Sequence, residues 1–258
     1  MWLPLLHEIA ETTEKIALEY FTKVDLNVQY KKDNSPVSEA DQKIEQWVRD
    51  FMAKKNPCVG LFGEEYGEDT NKELRLIIDP IDGTRNFIRG VPIFATLLGI
   101  EQNGEIIAGL VSAPGLKTRW FAEKGQGAFM TNAFTGQKKQ IAVSKIADLS
   151  KAQLFHSSLS GNEIRDTMKP ALISIINATE RQRGFGDFYQ HVLVAQGSGE
   201  AAVDPHVQPW DIAPMSIILK EAGGELVTFT GKSSIYEGNA LTTNGKVTQA
   251  LVRALANS

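Results

Sequence analysis

Apolar side chains at Leu6, Ile9, Ala10, Ile16, Ala17, Tyr20 and Phe21 recur close to helical spacing and predict a packing helix over residues 2–22. A polar loop is expected at residues 31–37. Ser38 then precedes Glu39-Ala40-Asp41 like a capping box, and Ile44, Trp47, Val48 and Phe51 carry a second helix forward. Residues 59–62 read as a short extended segment. Leu74 to Ile78 has the length and β-branched content of a buried strand. Pro80 should end that strand, because proline has no N–H to donate to a sheet ladder. Apolar runs between Phe94 and Pro114 flank Gln102-Asn103-Gly104, a strong hairpin signal. A second hairpin pairs residues 120–123 with 127–129 across a glycine-rich turn.

Residues 132–150 are polar, with an exposed loop expected at residues 135–139 and a soft lobe boundary nearby. Beyond it, residues 153–155 predict a strand, residues 162–177 a helix, and residues 183–188 a turn from strand into helix. Ala201-Ala202-Val203 leads as a strand into Asp204-Pro205. A helix beginning at Trp210-Asp211 runs through Ile212, Met215, Ile218 and Leu219 to a stop at Gly223-Gly224. The two hairpins favour an α/β (α+β) fold in which sheets pack under helices, not a doubly wound parallel one. Two lobes are expected, 1–145 and 146–258, with the site between them.

Composition narrows the partners. The 258 residues are 42% hydrophobic and 22% charged, ordinary for a globular chain with a large core. A net charge of −4 leaves no electrostatic footprint for nucleic acid. No apolar run reaches membrane-spanning length, and the amino terminus has no leader pattern. The single cysteine, Cys58, rules out an internal disulfide and a thiolate cluster, and four scattered histidines argue against zinc. A cytoplasmic protein is expected.

Candidate chemistry gathers at residues 74–87, Leu-Arg-Leu-Ile-Ile-Asp-Pro-Ile-Asp-Gly-Thr-Arg-Asn-Phe. Asp79 and Asp82 crowd one strand end, where a divalent cation with oxygen ligands would relieve their repulsion. Gly83-Thr84 allows a tight turn whose N–H groups face an anion. Other acids carry two readings each. Asp41 is a first-turn acid or an active group, and Asp211 a helix cap or a ligand. Glu64 is an acidic-turn residue or a ligand, while Glu68 and Asp69 read as solvated. Arg85 and Asn86 are read as structural.

Asp-Pro-Ile-Asp-Gly-Thr, with Gly63-Glu64-Glu65 before it and Pro209-Trp210-Asp211 behind it, resembles the inositol monophosphatase family of metal-dependent phosphomonoesterases. The resemblance implies a layered αβαβα sandwich and a homodimer. It implies two or three Mg²⁺ per site, held by Glu64, Asp79, the Ile81 carbonyl, Asp82 and Asp211. Thr84, paired with Asp41, would orient the attacking water, with Glu64 also in the catalytic set, and Gly83 and Thr84 would bind phosphate. Arg183-Gly184-Phe185-Gly186-Asp187-Phe188 and Asp204-Pro205 look like the histidinol-phosphate phosphatases of this family. Asp187 and Asp204 suit a substrate bearing an ammonium and an imidazole, and Arg183 either positions Asp204 or the phosphate or forms a structural ion pair. Phe188 is expected in the core. Asp82 and Asp211 are also placed at the substrate. The alternatives are an inositol or sugar phosphatase, a nucleotide 3′-phosphatase, for which no basic cluster is seen, and a silent phosphate-ligand binder.

Overall fold

Residues 1–21, 23, 28–30, 36–69, 73–131, 135–158 and 168–255 are described by a computed structural model. Of the loop expected at 31–37, residues 31–35 lie outside them and Pro36-Val37 is strand instead, and the opening 162–167 of the helix expected over 162–177 also lies outside them. Helix α1 spans Leu3–Phe21, and the strands β1 (Val28–Tyr30) and β2 (Pro36–Ser38) pair antiparallel. Ser38 caps α2 (Glu39–Lys55) through the capping box, with Asp41 reaching back to the Ser38 N–H. β3 (Gly60–Gly63), β4 (Gly67–Glu68) and β5 (Leu74–Asp82) lead into the one-turn helix α3 (Thr84–Phe87). β6 (Ala95–Gln102) and β7 (Glu105–Ala113) form the expected hairpin, its Asn103 and Gly104 both at positive φ as such a turn demands. β8 (Thr118–Glu123) and β9 (Ala128–Thr131) form the second.

Two further expectations are corrected. β5 does not stop at Pro80. It continues to Asp82 through a register shift between Asp79 and Asp82, so the proline sits in an irregularity that needs no ladder N–H there. The loop expected at residues 135–139 becomes a strand from Lys138, β10 (Lys138–Ile141), which adds to the sheet edge beside β9. Its exposed lysines suit an edge.

The remaining elements are β11 (Gln153–His156), α4 (Lys169–Ala178), β12 (Arg181–Gly184), α5 (Asp187–Ala195), β13 (Ala201–Asp204), α6 (Pro209–Glu221), β14 (Glu225–Val227), β15 (Ala240–Thr243) and α7 (Thr248–Leu255). An eight-stranded, mostly antiparallel sheet runs in the order β10-β9-β8-β7-β6-β5-β3-β4, with β3 and β5 parallel. A mixed five-stranded sheet runs β12-β11-β13-β15-β14.

Five layers result, an αβαβα sandwich. α1 and α2 bury Leu6, Ile9, Val48 and Met52 against Leu76, Ile78, Leu98 and Leu110 of the large sheet. α5 and α6 fill the space between the sheets with Phe188, Val192, Ile212, Met215 and Ile218. α4 and α7 cover the far face of the small sheet through Leu172, Ile175, Leu251 and Leu255. α6 approaches the large sheet where Gly99 and Gly109 face each other across β6 and β7. A Cβ on Gly109 would lie 2.8 Å from Pro214 Cα, so the missing side chains let the helix lie on the backbone. That contact fixes the start of α6 relative to the end of β5.

Candidate active site

Three carboxylates meet where β5 ends and α6 begins. Oxygens of Asp79, Asp82 and Asp211 all lie within 4.8 Å of one another. Asp79 and Asp82 are buried, and Asp211 stands half-buried at the cleft wall. Asp211 is not the cap of α6: Gln208 takes that place, and Asp211 Oδ2 accepts the Gln208 N–H at 2.7 Å. Asp82 Oδ2 accepts the Phe188 N–H at 2.6 Å, which ties β5 to the start of α5. Asp79 Oδ1 is buried with no hydrogen-bond partner. A buried, unsatisfied carboxylate oxygen facing two more carboxylates is what a hard cation would neutralise. The donors are oxygens, with no thiolate, so Mg²⁺ fits the set.

The electrostatics agree. Burial, then the charges of Glu64, Asp82 and Asp211, hold Asp79 well above the ordinary carboxylate range. Burial and then Asp187 and Asp211 do the same to Asp82. Burial also raises Asp211, against the Gln208 hydrogen bond. Glu64 follows β3, half-buried in the cleft wall and outside the triangle of three.

Asp41 is wholly buried, and its pKa is pushed up to about 6, by burial first, with the Ser38 hydrogen bonds opposing. Its Oδ2 accepts from Ser38 N (2.8 Å) and Ser38 Oγ (2.6 Å), which turns Oδ1 toward Thr84. The Thr84 hydroxyl lies 3.4 Å from that oxygen and donates at 2.9 Å to the Ile81 carbonyl. Gly83 precedes it at φ 82°, a left-handed turn that suits glycine.

A cleft of about 220 Å³ opens over these groups and is lined by five acids, Glu64, Asp82, Asp187, Asp204 and Asp211. Asp187 opens α5 at φ 51°, uncommon for a residue with a side chain. Its Oδ2 receives Asn86 Nδ2 at 3.2 Å. Asp204 accepts from Ser157 Oγ at 3.1 Å and Gln190 Nε2 at 2.8 Å. Phe188 is fully buried in the core, and Phe185 is 37% exposed, packed on Phe155 and Tyr189. Arg183 stands apart. It is exposed on the edge strand β12, its Nη1 donates to the Gln182 carbonyl, and it neither lines the cleft nor pairs with Asp204. An edge strand leaves its side chain free to turn to solvent. Arg85 and Asn86, read as structural, both belong here: Arg85 lines the cleft and Asn86 orients Asp187. Their place directly after Gly83-Thr84 was the available signal. His191 and His206 also line the cleft.

The model of the inositol monophosphatase family matches residues 2–258. The chain belongs to the inositol monophosphatase family. It is thus a phosphoric monoester hydrolase, and the family is Mg²⁺-dependent, as the acid cluster fits. Among its relatives, a histidinol-phosphatase of Mycobacterium tuberculosis is 38% identical, with 92% of this chain and 91% of that protein covered. A histidinol-phosphatase of Chlorobaculum parvum is 37% identical over 99% and 96%. Among solved structures, the Thermotoga maritima IMPase superposes with a TM-score of 0.87 at 30% identity, covering 98% of this chain and 96% of that one. No helix among the described residues is long and apolar enough to cross a membrane.

Proposed function

We propose that this phosphatase hydrolyses L-histidinol phosphate to L-histidinol, with residues 1–145 supplying most of the cation-holding and water-orienting groups and 146–258 adding Asp211 and reading the alcohol. The observation that carries the substrate is Asp187, an additional acid turned into the cleft by a left-handed backbone and oriented by Asn86. A polyol offers it no charge; the ammonium of histidinol phosphate does. The names of the relatives at 37–38% identity point the same way. Asp204, already held by Ser157 and Gln190, offers a fixed carboxylate on the same side.

Glu64, Asp79, the Ile81 carbonyl, Asp82 and Asp211 would hold two or three Mg²⁺. Bound there, Mg²⁺ supplies charge neutralisation of the ester and acidification of water. With the Ile81 carbonyl given over to the cation, the Thr84 hydroxyl would turn its hydrogen from that oxygen to Asp41 Oδ1, 3.4 Å away, and accept from the attacking water, aiming it in line with the leaving alcohol. Asp41, poised near neutrality by burial, takes the proton. The N–H groups of Gly83 and Thr84 face the phosphate. No phospho-enzyme forms. Family resemblance is the support for a homodimer, and composition the support for a cytoplasmic location.

The test is turnover with Mg²⁺ of histidinol phosphate, inositol 1-phosphate, sugar phosphates and 3′-phosphonucleotides. Histidinol phosphate should lead in kcat/KM by about 100-fold, a difference of roughly 2.7 kcal/mol in transition-state binding. Asp187→Ala should remove most of that lead and leave inositol 1-phosphate turnover nearly unchanged. Equal turnover of both esters by the unaltered protein would defeat the substrate assignment and leave the phosphatase intact.

A further inference from the structure

Glu45 lies on α2 four residues beyond Asp41, one helical turn along the same face. Its carboxylate is wholly buried. Oε2 accepts the N–H of Glu65 at 2.8 Å, and Oε1 accepts the N–H of Tyr66 at 3.2 Å. Oε1 also receives Arg49 Nε at 3.0 Å and Nη2 at 2.9 Å. Arg49 donates onward to the Gly67 carbonyl at 2.6 Å and to Asp69 Oδ1 at 3.0 Å. On the other side of Glu64, a Cβ at Gly63 would lie 2.6 Å from Glu45 Oε2 and closer still to the rest of the carboxylate. The backbone from Gly63 to Gly67 is therefore gripped on both sides of Glu64 by one ion pair of α2. An ionised side chain in so enclosed a place is expensive unless its partners are fixed, and here four of its hydrogen bonds come from Arg49 and from the turn after Glu64.

We propose that Glu45 is a positioning residue. Through Arg49 and the Glu65 and Tyr66 amides it sets the turn that presents Glu64 to the Asp79–Asp82–Asp211 triangle. Because Asp41 rides on the same helix, α2 keeps the water-orienting pair and the cation-holding acids in register. The inference rests on Glu64 being a metal ligand.

Mg²⁺ titration calorimetry on the full chain, freed of metal by chelation, reads this out without turnover. Glu45→Gln keeps the size but sets an amide against Arg49. It should weaken Mg²⁺ binding about 10-fold, the scale seen when a partner behind a metal ligand is lost. Half-saturating Mg²⁺ for turnover should rise in parallel, with KM for the ester at saturating Mg²⁺ unchanged within about twofold. In a Glu64→Gln background, Glu45→Gln should add nothing further, since both act through one side chain. Glu101→Gln, which breaks the buried Arg75 pair elsewhere, should cost stability and leave Mg²⁺ binding alone. If Glu45→Gln does not fold, Arg49→Gln loosens the same grip from a partly exposed side chain and should show the same Mg²⁺ loss. A folded Glu45→Gln with unaltered Mg²⁺ affinity overturns the proposal, as does an equal further loss in the Glu64→Gln background. Should Glu64→Gln alone leave Mg²⁺ binding unchanged, the ligand reading of Glu64 fails and takes the proposal with it.

Discussion

Asp79 has the least reason of any side chain to be where it is without a cation. It is 2% exposed, one oxygen has no partner, and the charges nearest it are negative. Asp79→Asn should therefore separate function from stability. Phosphate release with Mg²⁺ should fall at least about 1,000-fold, through loss of charge stabilisation. Melting of the chelator-treated variant at pH 8 should rise by a few degrees, since relief of about 1–2 kcal/mol of buried repulsion moves a chain of this size by roughly 2–4 °C per kcal/mol. A variant that stays active, or one that melts lower without metal, would count against the cluster. Arg85 calls for a second substitution. It lines a cleft otherwise crowded with acids and has no ion pair among the described residues. Arg85→Ala should raise KM for the ester about 10-fold with little change in kcat, the pattern of a lost ground-state contact to an anion. At this scale the sequence showed the acids well, because Asp-Pro-x-Asp at a strand end has few uses. It misled at Arg183, since no local pattern says which way an edge side chain turns. It hid Asn86, whose partner Asp187 lies 101 residues away.

Among the elements, α6 does most to assemble the site, because its first turn carries Asp211 to the end of β5. Gly109 permits that approach: a methyl there would press on Pro214 Cα and on its carbonyl oxygen, each 2.8 Å away, and on Ile217. Backbone cannot yield as a side-chain tip can, so Gly109→Ala should cost about 1–3 kcal/mol of stability by overpacking. It should also weaken Mg²⁺ binding, because a displaced α6 moves Asp211. Denaturant melts with a parallel Mg²⁺ titration check both, and loss of stability with unchanged Mg²⁺ binding would detach α6 placement from the site. The long helices and the hairpins were legible because their signals are local: periodicity, a capping box, Asn-Gly. β5 overran Pro80 because a bulge, set by pairing with β6, removed the need for the proline's N–H. β10 escaped notice because its three exposed residues look like loop, and only β9 beside it makes them a strand.

Across the whole molecule, the acids at and beneath the cleft come from the outer helix layer beside the large sheet (Asp41), the large sheet (Asp79, Asp82), the middle helix layer (Asp187, Asp211) and the small sheet (Asp204). Packing energy from all of these layers holds like charges together. The four buried or half-buried carboxylates Asp41, Asp79, Asp82 and Asp211 all have folded pKa values above their unfolded ones. The metal-free folded state thus binds more protons than the unfolded chain, and stability falls as pH rises through the interval between the two values. For Asp41 that interval runs from the unfolded 3.8 to about 6, a contribution on the order of 3 kcal/mol. His7 pulls the other way, since burial lowers its pKa, but it is a single, half-buried group. Chelator-treated protein should accordingly melt higher at pH 5 than at pH 8. Mg²⁺ at about 100 times its Kd should restore roughly 2.7 kcal/mol at pH 8 and much less at pH 5, where protons compete for the same oxygens. In Asp79→Asn the fall between pH 5 and pH 8 should be shallower, because one of the groups that produce it is gone. A metal-free protein whose melting temperature is flat or rises over that range would mean that the acids are neutralised by something other than a cation, and the layered cleft would need a different chemistry.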